Sequence, residues 1–139
     1  MLFRSPGSGS RIATDGRCHL TMNGREVFKF ATRVMVSSAE AVLDVCDRTV
    51  ADVDVYVPHQ ANVRIIDHAS RKLGIPEERV VVNVDRYGNT SSGSIPLALA
   101  DAVGDGRLKP GKLVLMTGMG AGLTWGSALI EWTHETNGA

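Results

Sequence analysis

The chain has 139 residues, enough for one domain with a core of its own. Fifteen basic and fifteen acidic residues cancel to a formal charge of zero, which excludes the strong basic excess of a general nucleic-acid binder. No apolar run approaches the ~18–20 residues that span a bilayer, so no membrane partner is expected. Residues 1–16 hold one apolar pair, Leu2-Phe3, before Ser5-Pro6-Gly7-Ser8-Gly9-Ser10, too little for a signal-peptide core. They read as a flexible tail, residues 17–139 as the folded domain, and the location as cytoplasmic. Cys18 and Cys46 lack metal-ligand spacing and read as reduced structural thiols, so no metal site is expected.

From Arg25 to about Arg48, Val27, Phe28, Ala31, Val34, Met35, Val42 and Leu43 recur at helical spacing between charged residues, which predicts a long amphipathic helix. The β-rich run Val53–Val57 is closed by Pro58, as suits the end of a strand. A second helix is expected from about Ala61 to Leu73, with Val63, Ile66 and Leu73 on its buried side and Gly74 as its stop. Val80–Val84, almost continuously β-branched, has the pattern of a strand buried on both faces. After the polar turn Asp85–Ser92, a third helix runs from about Gly93 to Val103, capped by Ser91 or Ser92, with Pro96 in its first turn. A loop then leads to an apolar strand at Leu113–Thr117, a glycine turn at Gly118–Gly122 and a last strand at Leu123–Trp132. Strands alternating with helices imply an α/β sheet covered by helices, closed by one antiparallel hairpin.

Three features carry chemistry. His59 lies in Pro58-His59-Gln60-Ala61-Asn62, where a strand ends and a helix begins, the edge of an α/β sheet at which ligands bind. A histidine at such a place often only caps its helix. Asn89 lies in Tyr87-Gly88-Asn89-Thr90-Ser91-Ser92, the next strand-to-helix turn and therefore the same edge; taken alone it is as readily an ordinary turn. Together, a neutral imidazole and an amide can hold a developing oxyanion or enolate. Gly118-Met119-Gly120-Ala121-Gly122 resembles a nucleotide-binding loop only superficially, because such loops must open a helix and a strand follows here. Its backbone can still point an N–H at a reacting oxygen. Separately, Arg64, His68, Arg71 and Lys72 follow i, i+4, i+7, i+8 spacing and form a basic helix face. Such faces are usually only solvated, but in a chain of zero net charge this one suits an acidic partner.

The segments Val57–Ile66, Asp85–Ser91 and Gly120–Leu129, in that order, resemble β-ketoacyl-acyl-carrier-protein synthase III of bacterial fatty-acid synthesis. The similarity runs from near Leu20 to Trp132. The resemblance implies the C-terminal half of a thiolase-like fold, with a mixed sheet of about four to five strands and helices on its faces. It implies that His59 and Asn89 are two members of a Cys–His–Asn triad, donating hydrogen bonds to the thioester oxygen of malonyl-acyl-carrier protein as it loses carbon dioxide. By the same resemblance, the Ala121 N–H would take the place of an oxyanion-hole donor. The resemblance further implies that Met22, Gly24, Phe28, Ala61 and Asn62 line a pantetheine tunnel, and that Arg64, with Lys29, Arg71 and Lys72 nearby, docks the acyl-carrier protein. Acyl-CoA and malonyl-acyl-carrier protein enter as substrates and no cofactor is expected.

The family's nucleophilic cysteine belongs to its N-terminal half, and neither Cys18 nor Cys46 fits that position. The expected partners are therefore that missing half, the carrier protein, CoA thioesters and, in the complete enzyme, a second copy in a homodimer. The chain alone is expected to be inactive, as a fragment of the condensing enzyme. The competing expectations are half of a related acyltransferase or of a secondary-metabolite synthase of polyketide or quinolone type, and a non-catalytic module that binds carrier protein or CoA.

Overall fold

The computed structural model describes residues 3–4 and 21–134. Two short strands, β1 (Phe3–Arg4) and β2 (Thr21–Met22), pair antiparallel, with Phe3 opposite Met22. Part of the segment read as a tail is therefore paired; the rest of that segment, and Cys18, lie outside the described residues.

The long amphipathic helix forms as α1 (Gly24–Val45). Asn23 caps it, its side chain accepting the Glu26 N–H at 3.4 Å. The helix buries Val27, Ala31, Val34, Met35, Ala39 and Leu43, one stripe at helical spacing. β3 (Val55–Pro58) follows, buried at every position. Then come α2 (Val63–Leu73), α3 (Val84–Tyr87), α4 (Ser94–Gly104), β4 (Leu113–Gly120) and β5 (Thr124–Glu131). Gly74 ends α2 at φ +73°, a left-handed conformation that glycine adopts at no steric cost.

The main sheet has the order β3-β4-β5, with β3 parallel to β4 and β4 antiparallel to β5. Pleating sends alternate residues of β3 to opposite faces. Tyr56 packs with Leu115 and with Ala39, Leu43, Ile66 and Leu73 of α1 and α2. Val55 and Val57 pack with Val114 and with Ala98 and Ala102 of α4 on the other face. The result is three layers, two helices on one side of a mixed sheet and one on the other. Fully burying each large aliphatic side chain here stabilises the fold by roughly 1.5–3 kcal/mol.

Three expectations need correction. The main sheet has three strands among the described residues, not four to five. The β-branched run expected as a further strand makes one parallel bridge, Val80 opposite Tyr56. Its ladder stops because the Gln60 side chain takes over the next backbone partners: Nε2 donates to the Val81 carbonyl at 3.0 Å and Oε1 accepts the Asn83 N–H at 2.9 Å. Second, Val63 is 46% exposed, because Asn62 caps α2 and leaves Val63 on the helix's open first turn. Third, neither Ser91 nor Ser92 caps α4; Gly93 stands at that position without a side-chain bond. No helix among the described residues is long and apolar enough to cross a membrane.

Candidate active site

His59 and Asn89 leave the sheet at the same edge. His59 directly follows β3, its N–H donating to the Thr117 carbonyl of β4 at 2.8 Å, which extends the parallel ladder by one residue. Asn89 follows α3, the helix reached from the Val80–Val81 segment that runs beside β3. The two side chains line one open cavity of about 1180 Å³. Met22, Gly24, Phe28, Ala61, Asn62 and Ala121, the remaining residues expected around the substrate, line it as well. Ala121 lies on the turn between β4 and β5, where its carbonyl accepts the Thr124 hydroxyl at 3.3 Å.

Hydrogen bonding sets which atoms of these side chains are available to a ligand. Asn89 Oδ1 accepts the Ser91 N–H at 2.9 Å, so the carbonyl end is engaged and the two N–H donors of Nδ2 remain. Asn62 repeats the device, Oδ1 accepting the Arg64 N–H at 2.9 Å. His59 Nδ1 lies 2.5 Å from Ser94 Oγ, leaving Nε2 as the ring nitrogen open to a ligand. Burial lowers the His59 pKa below its ordinary value, because the charged ring is poorly solvated there. The site thus combines a neutral imidazole with an amide donor, the set that can stabilise negative charge on a carbonyl oxygen.

Two buried polar residues hold the edge together. Gln60, 1% exposed, spans both loops: besides its bonds to Val81 and Asn83, Nε2 donates to the Pro58 carbonyl at 2.8 Å. Asn83, also 1% exposed, donates through Nδ2 to Asp101 Oδ2 of α4 at 2.6 Å. Arg86 pairs with the same Oδ2 at 2.6 Å, and the Tyr87 hydroxyl donates to Oδ1 at 3.5 Å. The Arg86 guanidinium also lies 5.0 Å from the Tyr87 ring centroid. Asp101 therefore anchors the short helix that delivers Asn89.

The sequence reading did not assign roles to Gln60, Asp101 or Ser94. The available signal was a polar residue inside an otherwise apolar run: Asp101 among alanines and valine, Ser94 ahead of an apolar helix. Such residues persist in a core only when their hydrogen bonds are satisfied.

Gly88 bends the chain immediately before Asn89, at φ +67° and ψ −160°. A Cβ built there meets nothing within 4 Å, so the requirement for glycine is conformational and not steric crowding by neighbours. That region is essentially closed to L side chains. Gly88→Ala should therefore cost about 1–3 kcal/mol in a denaturant melt and weaken ligand binding by displacing Asn89. An unchanged midpoint would show that the turn does not depend on this conformation.

The basic face expected on α2 is real. Arg64, His68, Arg71 and Lys72 line a second cavity of about 510 Å³ together with Phe28 and Asp67. Phe28 belongs to both cavities, so they adjoin there. Lys29 does not line this cavity; it pairs with Glu26 at 3.1 Å on the exposed side of α1. Cys46 is exposed at the end of α1 and lines neither cavity.

Residues 43–132 match the family described as 3-oxoacyl-[acyl-carrier-protein (ACP)] synthase III C terminal. A β-ketoacyl-[acyl-carrier-protein] synthase III of Deinococcus radiodurans is 56% identical over 120 residues, 86% of this chain and 36% of its own length. The solved β-ketoacyl-[acyl carrier protein] synthase III of Thermus thermophilus is 50% identical, with a TM-score of 0.85 over 94% of this chain and 41% of that one. The priming β-ketosynthase of the R1128 polyketide pathway is 41% identical, with a TM-score of 0.80 over 85% of this chain and 36% of that one. The chain thus spans roughly two fifths or less of the length of these proteins. Its α/β layers are those of the thiolase-like synthases. With the match extending from the end of α1 through β5, the chain belongs to the 3-oxoacyl-[acyl-carrier-protein] synthase III family, in its C-terminal part.

Proposed function

We propose that this chain supplies the decarboxylating side of a β-ketoacyl-[acyl-carrier-protein] synthase III, which condenses an acyl-CoA primer with malonyl-acyl-carrier protein. The single observation that carries this reading is the pair of uncharged donors, His59 and Asn89, lining one cavity with their competing atoms already bonded.

In the proposed reaction, a cysteine outside this chain is first acylated by the primer, and CoA leaves as the thiol. Malonyl-acyl-carrier protein then enters with its thioester oxygen against His59 Nε2 and Asn89 Nδ2. Breaking the bond to the carboxylate releases carbon dioxide, and the electron pair moves onto the thioester to form an enolate. The two N–H groups stabilise the oxygen that gains the charge, and do so better than water because they need no reorganisation. The enolate carbon attacks the acyl-cysteine carbonyl, the oxyanion is met by the Ala121 N–H, and the cysteine thiolate departs as 3-oxoacyl-carrier protein forms. The electron sink is the thioester itself, so the reaction needs no cofactor. A neutral imidazole suits this better than an imidazolium, which would hold the charge on oxygen and slow attack through carbon.

Met22, Gly24, Phe28, Ala61 and Asn62 would receive the pantetheine arm. Arg64, Arg71 and Lys72 would meet the acidic carrier protein beside the cavity mouth at Phe28, with Lys29 contributing longer-range attraction. The complete enzyme would add the cysteine-bearing N-terminal half and would work as a homodimer. A second reading, a priming synthase of secondary metabolism, is favoured by the likeness to the R1128 protein. It uses the same residues and differs in the product's fate.

The test is incubation of the completed enzyme with an acyl-CoA primer and malonyl-carrier protein labelled in its carboxylate. Release of labelled carbon dioxide together with a 3-oxoacyl-carrier product is expected; acyl exchange without carbon dioxide would overturn the proposal. The pH profile follows from His59. Burial holds its folded pKa below the ordinary 6.5, so the decarboxylation rate should fall to half its plateau only at a pH below 6.5. Stability follows the same window. As pH drops below 6.5 the unfolded chain protonates His59 first, so this residue's contribution destabilises the fold progressively until its folded pKa is passed. A rate that already halves above pH 6.5 would contradict a neutral His59.

A further inference from the structure

Ser94 is nearly fully buried at 2% exposure, although it opens α4 and could have turned to solvent. A serine in a helix commonly returns its proton to the carbonyl one turn back. Here the hydroxyl instead reaches across the sheet edge to His59, thirty-five positions earlier in the chain, with Oγ 2.5 Å from Nδ1. Oγ also accepts the Gln60 backbone N–H at 3.3 Å.

We propose that Ser94 is a positioning residue that sets the tautomer of His59, donating its hydroxyl proton to Nδ1 so that the ring N–H stands on Nε2. The inference rests on the proposed role of His59 and adds the group that makes that role possible. It follows from counting protons. A hydroxyl has one proton and two lone pairs, and a backbone N–H can only donate. The bond from Gln60 therefore uses a lone pair of Ser94, and the hydroxyl proton is left for another acceptor. Among the described residues the only acceptor bonded to Oγ is His59 Nδ1. The opposite tautomer, with Nδ1–H donating to Oγ, would leave that buried hydroxyl proton with no acceptor. The arrangement is therefore a directed chain, from the Gln60 N–H to Ser94 Oγ and from the Ser94 O–H to His59 Nδ1.

The directed chain has two consequences for the site. An imidazole whose Nδ1 is occupied as an acceptor presents Nε2–H to the cavity, which is the donor that an enolate oxygen requires. The same bond favours the neutral ring, since a protonated Nδ1 would turn two donors against each other, and burial acts in the same direction. The Gln60 N–H that starts the chain lies next to the Gln60 side chain that locks the two loops, so loop geometry and tautomer are set by one residue.

The test has two independent arms. Nitrogen-15 spectra of the histidine-labelled chain above pH 6.5 should show His59 with Nδ1 unprotonated and Nε2 protonated. The Nδ1 resonance should move on Ser94→Ala, as its donor is lost, and return on Ser94→Thr, which keeps the hydroxyl. A His59 protonated on Nδ1 in the unaltered chain, or an Nδ1 resonance indifferent to Ser94→Ala, would overturn the proposal whatever the catalytic outcome. In the completed enzyme, Ser94→Ala should lower kcat for decarboxylation about tenfold, the order expected for one hydrogen bond near 1.4 kcal/mol. KM for malonyl-carrier protein should stay near its original value, and Ser94→Thr should recover most of the rate. Equal losses in both variants would also overturn it. The underlying reading fails separately: if His59→Ala leaves decarboxylation intact, that reading falls, whereas the spectra still decide which group sets the tautomer.

Discussion

Replacing His59 by alanine in the completed enzyme should slow decarboxylation of malonyl-carrier protein by about 10²–10³-fold, the usual cost of one preorganised donor to a developing oxyanion. The loss should appear in kcat, because in the proposed reaction the oxygen bonded by His59 bears its charge in the transition state and little in the ground state. The structure explains why the change should not act through unfolding. His59 is only partly buried on a cavity wall, and its removal frees Ser94 without stranding a charge. Asn89→Ala should give a loss of similar size. The double variant should lose less than the product of the two, since the proposal has both groups serve one oxygen. Acylation of the proposed cysteine by the primer should survive in all three, and is the control. Carbon dioxide release from carboxylate-labelled malonyl-carrier protein is the direct measurement. A His59→Ala enzyme that decarboxylates at the original rate would remove the basis for the proposed chemistry.

The second large effect is on the fold. Gln60→Leu keeps approximate volume but removes three hydrogen bonds, to the carbonyls of Pro58 and Val81 and from the N–H of Asn83. All three backbone groups would be left at a buried position, since Gln60 is 1% exposed. Each unsatisfied buried group costs about 1–3 kcal/mol, so a loss of about 3 kcal/mol or more is expected, even with partial relaxation. That is a large share of the ~5–15 kcal/mol that holds a domain of this kind together. Urea unfolding midpoints of the two chains measure it. The variant should also lose ligand binding before it loses its helices, because Gln60 ties the His59 loop to the Asn89 loop. A shift below 1 kcal/mol would mean that water replaces the amide and that the loops are held elsewhere. Glutamate at this position is a sharper variant, because a carboxylate cannot donate to the two carbonyls.

Both expectations depend on contacts that local pattern does not encode, whereas much of the frame is local. Val27, Ala31, Val34, Met35 and Leu43 announce α1 because a 3.6-residue period must gather them on one face. The β3 and β4 runs announce buried strands for the corresponding reason, and Gly74 marks the end of α2. The ordered set of motifs around His59, Asn89 and Gly120–Gly122 was enough to identify the family and to put both donors at one sheet edge, and the cavity joins them there. The misjudged features share one cause. Val80–Val84 has the composition of a strand, yet its ladder ends where the Gln60 side chain, distant in sequence, occupies the backbone groups. Ser91 and Ser92 look like caps, yet the Ser91 N–H is drawn to Asn89 and α4 begins later.

What the sequence determined by itself was therefore the period of each element, the family, and the placing of His59 and Asn89 at one sheet edge, because those depend on residue type and short spacing. Only the tertiary structure decided which atoms of those donors are free. For His59 that choice is made by one hydrogen bond from a residue thirty-five positions away, Ser94, and for Asn89 by the local turn that brings the Ser91 N–H to its carbonyl. Such a long-range bond forms only once the apolar faces have packed, since hydrophobic burial sets the distances and is indifferent to hydrogen-bond direction. Directional bonds then select one geometry from the many that the same apolar pattern would allow.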